Sequence, residues 1–145
     1  MCSIARSLEV VGERWSLLIV RDALLGLTRF DEFRDSLGVA RNVLTDRLDR
    51  LVEHGVFERV RYQDRPARYE YRLTPKGLEL FTPLLGLLHW GDRHLADEHG
   101  PPRLVEHAGC GGPVAQQLTC TDCGQTLAPG QVHTRPGPAL TRHDD

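Results

Sequence analysis

The sequence predicts a mainly α chain with a small β-hairpin, α+β in class, followed by a short tail rich in Cys, His, Gly and Pro. Three observations carry this. Apolar residues recur at helical spacing through residues 1–55 and again after 74. The period drops to two over residues 56–73. Beyond residue 97 the apolar pattern stops. Two domains are expected, 1–97 and 98–145, and 145 residues suffice for one good core with an appendage.

Composition narrows the function classes. The formal net charge is only -2, so no global basic field announces nucleic acid. All but one of the 18 basic residues are Arg, however, the better forked donor for phosphate and guanine. Neither Ser16-Leu17-Leu18-Ile19-Val20 nor Leu84-Leu85-Gly86-Leu87-Leu88-His89-Trp90 is long enough to cross a bilayer, and no leader is evident. A cytoplasmic protein without membrane contact is expected, in which four Cys point to metal or redox chemistry before a disulfide framework.

Residues 1–26 read as helix, with Ile4, Leu8, Val11, Trp15, Leu18, Ile19 and Ala23 on a helical period. Gly12 divides a short leading helix from a second over 13–25, Trp15 anchors the core, and Gly26 is a stop. Thr28 or Asp31 is the expected cap of the next helix.

Residues 30–55 are the centre of the chain. They read as two short amphipathic helices joined by a turn at Gly38, with Phe30, Phe33 and Leu37 on one stripe. In the second helix Leu44, Leu48 and Leu51 fall at i, i+4 and i+7, a buried face. The opposite side offers Asn42, Thr45, Asp46 and Asp49, flanked by Arg41, Arg47 and Arg50. Arg forks onto guanine, Asn pairs with adenine, and Thr takes a phosphate or a thymine methyl, so such a helix suits a DNA major groove.

Val56-Phe57-Glu58-Arg59-Val60-Arg61-Tyr62 alternates apolar and charged, Gln63-Asp64-Arg65-Pro66-Ala67 is a turn, and Arg68-Tyr69-Glu70-Tyr71-Arg72-Leu73 alternates again: a β-hairpin. Arg59, Arg61, Arg65, Arg68, Arg72 and Lys76 outweigh Asp64 and Glu70 there, so the hairpin is basic. Helix, turn, helix, basic hairpin is the order of a winged helix-turn-helix. The helix over about 41–54 would lie in the major groove, and the wing over 57–73 on backbone or minor groove. Thr74-Pro75 starts another helix, Thr as N-cap and Pro at the first position. Leu78, Leu80, Phe81, Leu84, Leu85, Leu87, Leu88, Trp90 and Leu95 follow, with a kink or split expected near Phe81 because of Pro83. This segment is apolar around more of its circumference than one small domain covers, which fits a homodimer interface. A two-fold dimer would set its recognition helices about 34–36 Å apart, one turn of duplex.

These residues resemble a known family. Cys2, Gly12-Glu13-Arg14-Trp15, Ile19-Val20-Arg21-Asp22, Arg29-Phe30-Asp31-Glu32-Phe33, Leu44-Thr45-Asp46-Arg47-Leu48, Gly55, Pro66, Tyr71-Arg72-Leu73-Thr74-Pro75-Lys76-Gly77 and Trp90-Gly91 are similar to the motifs of HxlR-type transcriptional regulators. Those are winged helix-turn-helix proteins of MarR-like architecture. The resemblance spans roughly residues 1–97. It implies a bacterial, nucleoid-associated, homodimeric regulator of double-stranded DNA, by family habit a repressor, dimerising through its first and last helices. It also implies that Arg29, Ala40, Arg41, Asn42, Thr45, Arg47 and the wing arginines, Arg65 and Arg68 among them, face DNA. Ala40 departs from the pattern, which commonly has a capping Ser there; the lost cap costs about 1 kcal/mol. Some members use an N-terminal Cys to sense oxidants or electrophiles. Cys2 holds that position, which makes it the candidate redox sensor and such a molecule the candidate effector.

The tail lies outside that pattern. Gly100-Pro101-Pro102 reads as a linker. His107-Ala108-Gly109-Cys110-Gly111 and Cys120-Thr121-Asp122-Cys123-Gly124 each give a ligand, two residues, a Cys and a Gly, the form of a zinc knuckle. Two knuckles separated by a short hairpin over 111–119 would make a small C-terminal zinc ribbon, Zn2+ held by His107, Cys110, Cys120 and Cys123. His133 is the substitute for His107. The competing chemistry is a redox dithiol of Cys120 and Cys123, with Cys110 spare. His54, His89, His94, His99 and His143 read as surface or helix-end residues, and the chain closes in a disordered end. No phosphate-binding Gly loop or catalytic triad is present, so an enzyme is not expected. A protein-docking module built on the winged helix and ribbon is the alternative to a DNA-binding regulator.

Overall fold

The computed structural model describes residues 2–140. The chain divides into two compact units, the first ending at Gly100 and the second starting at Pro101.

The first unit opens with α1 (Ser3–Val11) and α2 (Arg14–Leu24), divided at Gly12 as the sequence predicts. Next come α3 (Phe30–Leu37) and α4 (Arg41–Glu53). Gly38, at φ 61, takes the left-handed turn between them that residues with a Cβ rarely adopt. Neither Thr28 nor Asp31 caps α3. Arg29 occupies the cap position, and Glu32 reaches back to accept the backbone N–H groups of Thr28 (3.0 Å) and Arg29 (2.9 Å). A carboxylate at the third helical position satisfies donors that the helix itself leaves bare.

Strands β1 (Phe57–Gln63) and β2 (Arg68–Leu73) pair antiparallel, with Phe57 opposite Leu73 and Arg61 opposite Tyr69. The register slips between Arg61 and Gln63, where Tyr62 bulges. The chain entering α3 adds to the free edge of β2, since Arg29 bridges to Glu70 and the Tyr71 N–H donates to the Thr28 carbonyl at 2.7 Å. The wing is thereby tied to the start of the helix pair.

Thr74 caps α5 (Pro75–Leu78) by accepting the Gly77 N–H, and its own hydroxyl donates to the Gly55 carbonyl at 2.6 Å. The predicted split falls after Leu78: α6 (Phe81–His94) begins three residues on. Pro83 sits in its first turn, where a missing N–H has no helical acceptor to lose. The core gathers Ile19 and Val20 of α2, Phe33 of α3, Leu44, Leu48 and Leu51 of α4, and Val56 and Phe57 at the start of the wing. Phe33 meets Phe57 edge to face at 6.3 Å. Trp15 packs against this core half-buried.

Among the described residues of the second unit, no side chain is buried in a core. Its two short strands, β3 (Leu118–Thr119) and β4 (Thr126–Leu127), pair with each other. The hairpin expected over 111–119 is not there. The strands bracket the second Cys-x-x-Cys turn, and a Glu106–Pro113 bridge brackets the first turn. Each turn reverses the chain by itself, so pairing occurs across the turns and not between them. His143 and the last five residues of the expected disordered end lie outside the described residues. No described helix is long and apolar enough to cross a membrane.

Candidate nucleic-acid interface

Leu44, Leu48 and Leu51 are fully buried, which fixes the rotation of α4 and turns Arg41, Asn42, Thr45 and Asp46 outward, all exposed. Ala40 starts the helix in extended geometry without a side-chain cap, so the first-turn N–H groups look outward with it. Thr45 returns its hydroxyl to the Arg41 carbonyl at 2.9 Å. Arg41 rests over the Phe30 ring at 5.0 Å and reaches Asp31 at 3.4 Å, yet stays two-thirds exposed. Arg29 lies over the bulged Tyr62 ring at 4.9 Å, so one arginine links the base of the helix pair to the wing.

Two of the arginines expected on this face point elsewhere. Arg47 is only 21% exposed; it pairs with Asp46 at 3.1 Å and Glu13 at 3.6 Å, and its Nε is buried without a hydrogen-bond partner among the described residues. Its position on the helix sits beside the buried leucines, and the start of α2 offers it a carboxylate. Arg50 donates to the Glu9 carbonyl at 2.7 Å, satisfying the last turn of α1. Lys76 does the same for the His54 carbonyl at the end of α4, also at 2.7 Å. These are side chains that hold helix ends.

The wing sorts in the same way. Arg61 is engaged by Asp64 (3.3 Å) and the Asp64 carbonyl (2.9 Å), Arg72 by Glu70, and Arg59 by the Tyr69 ring at 3.9 Å. Arg65 and Arg68, flanking the tip, are exposed and have no side-chain partner among the described residues. The uncommitted positive charge of the wing is therefore at its tip. Sequence reading overlooked Glu32, whose spacing after Arg29 was the visible signal. Its carboxyl is held below the usual carboxylate range, first by the Thr28 N–H and then by the Arg29 N–H.

Elsewhere, Cys2 is exposed at the N-cap of α1. Beside α1 lies a cleft of about 580 Å³, bordered by Arg6, Glu9, Val11, His54, Lys76 and Leu80. In the tail His107 stands with Cys110, and Cys120 with Cys123; among the described residues no three His, Cys, Asp or Glu side chains converge on one point. His133 is exposed.

With helix pair, wing and exposed arginines in place, the comparison with known proteins is direct. The model of the HxlR-like helix-turn-helix family matches residues 10–99. The chain belongs to this family. It is a transcriptional regulator of the helix-turn-helix type, as its relatives are. An HTH-type transcriptional regulator of Mycobacterium tuberculosis (strain ATCC 25618 / H37Rv) is 45% identical over 138 residues, 95% of this chain and 87% of the relative. That similarity runs past the family's core into the tail. The crystal structure of PA1607, a candidate transcription factor, is 41% identical with a TM-score of 0.85, covering 94% of this chain and 95% of that one. The reduced form of the redox regulator HypR is more distant, 29% identical with a TM-score of 0.60 over 63% of this HxlR-like chain and 92% of its own.

Proposed function

We propose that this HxlR-like protein is a sequence-specific DNA-binding repressor that acts as a homodimer. Residues 41–54 enter the major groove, and the wing, 57–73, lies along the backbone or minor groove. The observation that carries this reading is the division among the arginines. Those on the sides of α4 are fastened to other helices, whereas Arg29, Arg41, Arg65 and Arg68 are left exposed around Ala40, Asn42, Thr45 and Asp46. Phosphate contacts from Arg65 and Arg68 would orient the chain, and Asn42 and Arg41 would read base edges. A dimer is supported by the exposed apolar rows of α1 (Ile4, Leu8) and α6 (Leu87, Trp90).

The test is a gel-shift titration of the full chain on DNA from upstream of its own gene, at two salt concentrations. Specific retention that weakens steeply with salt is expected, because each neutralised phosphate releases a counterion. Binding that ignores salt, or retention of no DNA while the protein captures a protein partner, would replace this reading with the docking module.

A redox-sensing form of the same regulator is the second reading. It is supported by the similarity to HypR together with the exposed Cys2 thiol. Operator affinity should then change on treatment with a thiol oxidant and be indifferent to it in Cys2→Ser; equal responses in both proteins would dismiss Cys2 as the sensor.

A further inference from the structure

The tail contains a duplication that the DNA contacts proposed above do not involve. Residues 105–114 and 118–127 repeat one backbone arrangement at an offset of 13 residues. The Glu106–Pro113 bridge answers the Thr119–Thr126 pair, and the Val114 N–H bond to the Val105 carbonyl answers the Leu118–Leu127 pair. Inside them, His107 N–H donates to the Gly112 carbonyl at 2.8 Å and Cys120 N–H to the Gln125 carbonyl at 2.9 Å. The Gly111 N–H closes on the His107 carbonyl at 2.8 Å, and the Gly124 N–H on the Cys120 carbonyl at 2.9 Å. Gly111 and Gly124 stand at φ 71 and 72, in the left-handed region that favours glycine.

This repeat aligns His107 with Cys120 and Cys110 with Cys123. Each turn sets its two donors side by side. His107 Nδ1 lies 3.2 Å from Cys110 Sγ, while Cys120 is hydrogen-bonded by Cys123 and by the backbone N–H groups of Asp122 and Cys123. A second observation is independent of the donors. The unit has no buried apolar side chain among its described residues, and Leu104, Leu118, Val132 and Leu140 are all more than half exposed. Two ordered turns without a core need cohesion from another source, and in so small a unit a metal ion is a common one. The four cysteines are free thiols.

We propose that the tail binds one divalent cation of the zinc class, with His107 and Cys110 from the first turn and Cys120 and Cys123 from the second as its four ligands. The two donor pairs stand apart in the present arrangement, and the ion draws the two turns together. Three thiol protons leave as the three metal–sulfur bonds form, so affinity falls as pH falls. The repeat decides between the two candidate histidines: His107 occupies a ligand position within it, and His133 lies outside it.

Metal content and Co2+ substitution of the purified full chain test this. The expected result is one zinc per chain, and with Co2+ the visible bands of a tetrahedral thiolate site. Cys120→Ser and His107→Ala should each weaken Co2+ binding by more than about a hundredfold, beyond the loss of an outer-shell partner. His133→Ala should bind as the parent does. Since a ligand variant can simply lose its fold, His107→Cys serves as the second probe: it should keep one ion per chain with a shifted thiolate spectrum. Far less than one ion per chain after anaerobic purification, an intact Cys120–Cys123 disulfide that Zn2+ does not compete with, or bands insensitive to His107 would each overturn the proposal. None of these readouts depends on DNA, so failure here leaves the operator-binding reading standing.

Discussion

At the scale of single residues, the fate of a charge is decided by what lies within a few ångströms of it. Arg47 and Arg65 look alike in the sequence, but Glu13 and Asp46 hold the first, while the guanidinium of the second is exposed and has no partner among the described residues. The Arg65→Ala/Arg68→Ala double variant should therefore fold normally and lower the slope of log affinity against log salt by about 2, one per lost phosphate contact. Arg47→Ala should leave that slope unchanged and alter thermal stability instead, because its stem packs beside the leucines of α4. Gel shifts across a salt series and a melting curve separate the two. Glu32 gives a pH prediction. Its folded pKa is depressed by two backbone donors, so its stabilisation is complete above the unfolded value of about 4.3 and is lost as pH falls through the lower folded value. Glu32→Gln should be less stable than the parent in urea at neutral pH, and the difference should close under acid conditions.

At the scale of elements, the contacts that matter are those fixing one element against the next. Thr74 and Gly77 fasten the end of the wing to the start of α5. The Thr74 hydroxyl donates to Gly55, and a Cβ on Gly77 would stand 2.2 Å from the Val56 carbonyl oxygen and 2.9 Å from Leu73. A backbone oxygen cannot rotate away as a side chain can. Gly77→Ala should therefore cost about 1–3 kcal/mol in chemical denaturation, the range for an overpacked site; a variant as stable as the parent would show that α5 can slide. The Arg29–Glu70 bridge acts similarly between the start of α3 and β2, and the Glu32 cap holds Thr28 and Arg29 in place for it.

At the scale of the whole molecule, the exposed apolar residues are unevenly placed. Leu87 and Trp90 on α6 and Ile4 and Leu8 on α1 are each at least half exposed, although Leu85 of the same α6 is buried. Leaving such rows in water is unfavourable by roughly 25 cal/mol per Å² of apolar surface, which a two-fold partner would recover. Leu87→Glu should sediment as a monomer at concentrations where the parent is a dimer, and should retain operator DNA poorly because a single half-site remains. A dimer that survives the substitution would move the interface off α6.

The helices, the split at Gly12, the hairpin and the Thr74–Pro75 start were all legible in the sequence, because periodicity and capping are local properties carried by neighbouring residues. The family was legible for the same reason, as an ordered set of short motifs. The use of each exposed charge was not: Arg47, Arg50 and Lys76 meet partners brought near only by folding, up to 41 residues away for Arg50. The cap of α3 was misread because Thr28 and Asp31 are good capping types, while the tie to β2 placed Arg29 at the cap position and left Glu32 to do the work. In the tail the spacing of His107, Cys110, Cys120 and Cys123 stood in the sequence. The folded backbone added that the likeness of the two turns extends to their flanking bridges and closing hydrogen bonds, because hydrogen bonds and φ angles, unlike residue types, are settled in three dimensions.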